Sequence, residues 1–205
     1  MNSSCLALLA AVALLAGCAT TLPPNPENQK SAEQRWAQRR ADLAQVDRFL
    51  IQSRLAYGKV LGVKADLRWE QNVDDSFEMR ISGPFGVGAA TISGTQKRVL
   101  VRTREGEYDT PDPEQWIQER MGWTLPIAGL RYWALGLPAP QSEASIELNL
   151  QGQAVVMEQD GWHLEYSEYQ SKSGYDLPRK FEVTNPGVRL KVVIDDWSNL
   201  PIKRR

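Results

Sequence analysis

Lys64-Ala65-Asp66-Leu67-Arg68-Trp69-Glu70 and, beyond a polar break at Asn72 to Asp75, Ser76-Phe77-Glu78-Met79-Arg80-Ile81 alternate apolar with charged or polar side chains. Successive side chains of an extended strand point to opposite faces, so each segment has one dry face and one wet face. Two such segments around a short polar break form a β-hairpin. The same period returns at Gly88 to Thr95, Arg98 to Arg104, Ser145 to Leu150, Gln153 to Gln159, Trp162 to Tyr169, Arg179 to Thr184 and Val188 to Asp195. With Leu50 to Tyr57 and a short piece around Tyr108, this predicts about eleven strands. Most connections are too short for crossover helices, so the sheet is antiparallel, and with so many strands it curls toward a barrel.

Helical spacing precedes this pattern and interrupts it once, in the middle. Trp36, Leu43, Val46 and Leu50 recur at steps of 7, 3 and 4 with charged residues between them, which predicts an amphipathic helix beginning near Ala32. Asp112-Pro113-Glu114-Gln115-Trp116 opens with a helix N-cap and a proline at the first helical position, and a second stretch runs from about Pro126 to Leu135. The expected class is mainly β with an α lid: a curled, incomplete antiparallel β-barrel whose open end or concave face is covered by about three helices.

The first residues differ in kind. No side chain from Met1 to Gly17 is charged, and Leu6 to Ala16 is an unbroken run of Leu, Ala and Val. At about 1.5 Å per residue the run is too short for a hydrocarbon core of roughly 30 Å and matches the apolar segment of a secretory signal. The Lys or Arg usual ahead of such a run is missing from Met1-Asn2-Ser3-Ser4-Cys5. Leu15-Ala16-Gly17-Cys18 resembles the bacterial lipobox, in which an aliphatic residue and two small ones precede a cysteine that is acylated before cleavage. The resemblance implies a signal peptide over 1–17 and a lipidated Cys18, with a flexible tether over 18–31 and a single domain over 32–205. Ala19, Thr20 and Thr21 lack the acidic residue that retains similar lipoproteins at the inner membrane, which implies a lipid anchor in the outer membrane facing the periplasm.

Other chemistry is poorly provided for. A net charge of -1 gives no field to gather phosphate backbones, so nucleic acid is excluded as a general partner. One histidine and two cysteines cannot assemble a four-ligand Cys/His metal site. No Gly-rich phosphate loop or nucleophile elbow is present, and the chain is expected to be neither an enzyme nor a cofactor carrier. The pairs Asp74-Asp75 and Asp195-Asp196 are expected in turns or at solvent edges, since neighbours on a strand face opposite ways. His163 is expected at the surface or rim, and Ile202-Lys203-Arg204-Arg205 as a solvated tail.

Several landmarks occur together and in order. They are the lipobox, the helix with Trp36, the turn Gly83-Pro84-Phe85-Gly86, the stretch Gly122 to Leu137 with Leu130-Arg131-Tyr132-Trp133, Gly161-Trp162, Leu177-Pro178 and Trp197. In these the chain resembles the LolB family of outer-membrane lipoprotein receptors over essentially its whole mature length. The resemblance implies an apolar cavity under a helical lid, a monomer that takes lipoproteins from a LolA-type periplasmic carrier, and delivery of their acyl chains to the inner leaflet of the outer membrane. It also implies a protruding loop, here Pro84, Phe85 and Gly86, whose hydrophobic residue enters the membrane; Phe85 stands where the family usually has leucine. On residue types alone that ring either folds back beneath the loop or protrudes. The candidate acyl-chain lining is Leu67, Trp69, Phe77, Met79 and Ile81 from the dry face, with Trp116, Leu130, Trp133 and Trp162, and each could equally fill an ordinary core. Two other classes stay open: a lipid-anchored structural or assembly protein docking through its curved sheet, and a periplasmic lipid hydrolase.

Overall fold

The computed structural model describes residues 31–57, 63–84, 89–95, 97–121 and 127–203. The alternating segments pair as β1 (Phe49–Tyr57), β2 (Val63–Gln71), β3 (Phe77–Ser82), β4 (Ala90–Thr95), β5 (Arg98–Thr103), β6 (Gly106–Thr110), β7 (Ala144–Leu148), β8 (Ala154–Gln159), β9 (Trp162–Lys172), β10 (Tyr175–Asn185) and β11 (Val188–Ser198). They form one 11-stranded sheet in the order β6-β5-β4-β3-β2-β1-β11-β10-β9-β8-β7. Every pairing is antiparallel, so two meanders meet where β1 pairs with β11. β6 and β7 each lack a strand neighbour on one side, and the barrel is therefore not closed. The chain between these two edges folds as helices α2 (Pro113–Met121) and α3 (Ile127–Ala134), while α1 (Ala32–Leu43) precedes the sheet.

The helix starts follow from local chemistry. Ser31 Oγ accepts the Gln34 backbone N–H at 3.2 Å and the Gln34 side chain accepts the Ser31 N–H at 2.9 Å, satisfying donors the first turn of α1 leaves free. Asp112 Oδ1 accepts the Gln115 N–H at 2.9 Å, with Pro113 beginning α2 as expected.

Strand β10 begins four residues earlier than its sequence pattern predicts. Tyr175 and Leu177 continue the buried alternation, and Pro178 is accommodated beside a shift in register with β9. The aspartates at 195 and 196 lie at the solvent as expected, though within β11 rather than in a turn. A bulge opposite Gln52 and Ser53 places both on the wet face, where Asp195 meets Arg54 at 2.6 Å and Asp196 meets Lys172 at 2.7 Å. Asp74 and Asp75 lie in the β2–β3 turn, as expected; Asp74 accepts the Ser76 N–H at 3.1 Å.

The dry faces of all strands point into one core. At one end, Phe49 packs edge-on against Trp69 at 5.2 Å and Trp197 at 5.3 Å, and the Trp197 indole N–H donates to the Pro178 carbonyl at 3.1 Å. The wet face is covered with cross-strand ion pairs, among them Arg98–Asp109 at 2.6 Å and Arg102–Glu107 at 2.8 Å. Exposed pairs of this kind add little stability, but they keep the outside of the sheet charged. A transmembrane barrel carries an apolar outer band, so these strands do not span a bilayer. Among the described residues, no helix is long and apolar enough to cross a membrane.

Candidate functional site

Register shows how the dry face changes along the strands. At the end where β1 begins, Phe49, Ile51, Trp69, Phe77 and Met79 are buried. Toward the other end, Leu55, Tyr57, Ala65, Leu67, Ile81 and Ala90 on the same face are only half-buried. These residues are neighbours across the strands: Leu55 pairs with Ala65, Leu67 with Ile81, and Ile81 with Ala90. The result is a row of partly uncovered apolar side chains beside the connections 58–62 and 83–89. Water contact with this much clustered hydrocarbon is unfavourable, which is the usual signature of a surface kept for a partner or ligand.

The two helices bridge the gap between the open edges. On the β6 side, Trp116 of α2 stacks at a tilt on Tyr108 with ring centroids 5.5 Å apart. On the β7 to β10 side, Trp133 of α3 lies 6.0 Å from Trp162, and the Tyr166 hydroxyl donates to the Trp133 carbonyl at 2.9 Å. The helices are joined by Glu114, whose side chain is hydrogen-bonded to the backbone of Ile127; partial burial raises its pKa above the usual glutamate value despite that bond. Arg131 of α3 also reaches Asp75 in the β2–β3 turn, tying the helix to the opposite wall.

Burial divides the nine predicted lining residues. Trp69, Phe77, Met79, Trp133 and Trp162 are sealed within the core. Leu67, Ile81, Trp116 and Leu130 are half-buried and keep apolar surface available. None of the nine lines the two pockets described at the other end of the strands, which are walled chiefly by polar groups such as Arg35, Asp42 and Lys203 in one and Arg48, Glu70 and Asp74 in the other. Leu55, Tyr57, Ile92 and Tyr108 belong with the half-buried set and were not singled out from sequence. Their signal was available in the alternation of β1 and β4 to β6, but period two gives the face and says nothing of how far along it the packing closes.

Pro84 is exposed at the end of β3. Phe85 and Gly86, and likewise Cys18, lie outside the described residues. His163 projects from the wet face of β9, between Glu158 and Glu165, with its Nε2 2.9 Å from the Glu165 carboxylate. Hydrogen bonds to these two carboxylates raise its pKa above the usual histidine value. It lies on the face opposite the apolar row, as its position beside Trp162 predicts.

Comparison with known proteins places this architecture. A family model described as outer membrane lipoprotein LolB matches residues 47–197. The chain belongs to the LolB family. Outer-membrane lipoprotein LolB from Pseudomonas syringae pv. syringae is 33% identical over 194 residues, covering 91% of each chain. The LolB of Pseudomonas aeruginosa PAO1 is 33% identical over 195 residues, covering 91% of this chain and 92% of that one. Among solved structures, a LolA superfamily protein from Nitrosomonas europaea superposes with a TM-score of 0.52 at 9% identity, covering 86% of this chain and 98% of the other. A DUF1329 family protein from Desulfovibrio piger gives 0.51 at 10% identity, covering 85% and 94%. At that identity the likeness is one of fold alone.

Proposed function

We propose that this protein is an outer-membrane lipoprotein receptor, anchored through an acylated Cys18 and facing the periplasm. It accepts lipoproteins from a LolA-type carrier and transfers their acyl chains to the inner leaflet of the outer membrane. The reading is supported by family membership, and the observation that carries it is the half-buried apolar row around Leu55, Leu67 and Ile81.

The physical need is large. At about 0.8 kcal/mol per buried methylene, some forty methylenes of a triacylated client come to roughly 30 kcal/mol against exposure to water. Such a client does not cross the periplasm free. The half-buried row receives the chains, the sealed residues Trp133 and Trp162 remain as the wall behind them, and α2 moves away from the sheet to make room. No bond is made or broken. Direction comes from differential affinity alone: the chains favour this face over the carrier's and the bilayer over both.

Phe85 supplies the membrane contact from the connection between β3 and β4. The test is incubation of the full chain with client-loaded carrier, followed by addition of phospholipid vesicles. Client moves first to this protein and then to the vesicles, and Phe85→Glu accepts client but delivers it slowly. A structural component would take up no client, and a hydrolase would release fatty acid. Delivery at the normal rate by the Phe85→Glu chain would remove the loop from the mechanism.

A further inference from the structure

Helix α1 buries a cation two of whose nitrogens find no hydrogen-bond acceptor among the described residues. Arg39 is 9% exposed, and its Nε and Nη2 have no partner. The guanidinium carbon lies 4.8 Å from the centroid of the Tyr169 ring, which covers one face of the group without accepting its N–H bonds. Loss of hydration holds its pKa below the usual arginine value.

Arg39 helps to wall a pocket of about 210 Å³ between α1, the β7–β8 and β9–β10 turns and the segment after β11. Arg35, Gln38, Asp42, Asp176 and Lys203 also line it. Most of these charges are already engaged. Lys203 Nζ meets Asp42 at 2.8 Å, and Arg35 Nη1 donates to the Leu150 carbonyl at 2.6 Å. Asp176 acts on Arg39 only through space. Among the described residues of the wall, three cations against two carboxylates leave one positive charge, and Arg39, with two buried nitrogens lacking a partner, is the one that holds it.

The rim has a second character. Leu150 is 80% exposed and Ile202 is 91% exposed, and each adjoins a residue of the pocket wall, Gln151 and Lys203. A buried, unpaired arginine fork calls for an oxyanion, and a surplus of one charge calls for a monoanion. Exposed aliphatic groups on the rim favour an anion that carries apolar arms. A phosphodiester has all three properties, whereas a doubly charged phosphate monoester would face Asp42 and Asp176 with charge to spare.

We infer that the pocket at Arg39 is a binding site for a phosphodiester monoanion, supplied by a phospholipid headgroup or by a soluble glycerophosphodiester. It stands at the opposite strand ends from the 83–89 connection and does not depend on the receptor reading.

The test uses the full-length chain in dodecyl maltoside micelles, which contain no phosphate, titrated with glycerophosphoglycerol while backbone amide shifts are followed. Saturable shifts appear at Gln38, Gly174 and Asp176, and Arg39→Met weakens them at least about tenfold. Because replacing an unpaired buried cation by an aliphatic side chain relieves its desolvation, Arg39→Met keeps the wild-type melting temperature or raises it, which a structural arginine would not do. Nanodiscs of phosphatidylglycerol compared with a phosphate-free glycolipid separate the sources: shifts in the former alone identify the headgroup, and shifts with glycerophosphoglycerol alone identify the soluble diester. Absence of saturable shifts with either probe overturns the assignment. So do equal shifts from acetate, or shifts unchanged in Arg39→Met.

Discussion

The Trp133 indole N–H donates to the Gln159 side-chain oxygen at 2.8 Å, with the two residues 1% and 2% exposed. The same oxygen accepts the Ala139 N–H at 2.9 Å, and the Gln159 amide group donates to the Ala139 carbonyl at 2.8 Å and the Ser142 carbonyl at 3.1 Å. One buried carboxamide on β8 thus secures both α3 and the chain leaving it. The β7 to β10 side of the lid is therefore the fixed side, while Arg131 and Asp75 meet across the other in a partly exposed contact.

Gln159→Leu removes the partners of several buried polar groups at once. Each orphaned group costs about 1–3 kcal/mol, so the loss is about 3 kcal/mol or more. Urea denaturation reads it as a lower midpoint, and a loss under about 0.5 kcal/mol would show that the network adds no stability.

Gly152 sits in the β7–β8 turn with a φ of +71°, and a Cβ there would lie 2.7 Å from the Trp36 backbone nitrogen and 2.8 Å from the Ala32 carbonyl oxygen. Neither backbone atom can swing aside. Gly152→Ala therefore strains the turn and displaces α1, at a cost of about 2 kcal/mol or more. Amide exchange in Arg35 to Leu43 accelerates while β1 and β11 stay protected; unchanged exchange in α1 would contradict this.

Filling the half-buried row should block cargo without harming the fold. Leu67→Trp places an indole beside Ile81, in space the core does not occupy, so the melting temperature changes by only a few degrees while the client retained after carrier incubation falls several-fold. Undiminished retention would move the acyl site away from this row.

His163 imposes a pH dependence of known sign. Its folded pKa lies above the ordinary 6.5 because Glu158 and Glu165 bind the protonated ring. The stabilisation is fully present below pH 6.5 and is lost as pH rises through the folded value. His163→Gln consequently lowers the melting temperature at pH about 5.5 and leaves it nearly unchanged at about 8.5. A ring titration followed by NMR with a midpoint below 6.5 would reverse the sign.

Much of this molecule is legible in a single pass along the chain. Leu67, Trp69, Phe77, Met79 and Ile81 fall on one face as their alternation demands, and Asp112 and Pro113 start a helix where N-cap chemistry places it. The sequence pattern starts a strand at Arg179, whereas a register shift beside Pro178 lets β10 begin at Tyr175, and a bulge at 195 and 196 cancels the alternation that would put neighbours on opposite faces.

Strand number, the dry and wet faces and the helix starts are local properties, set by side-chain direction and backbone hydrogen bonding within a few residues, so residue order alone settles them. Which dry-face residues are sealed and which stay half-open is settled by partners distant in the chain. Trp133 is closed in by Gln159, 26 positions away, and Arg35 is bound by Leu150, 115 positions away. The lone charge of Arg39 is likewise invisible until α1 is laid over Tyr169, because burial and the lack of an acceptor arise only when separate segments meet.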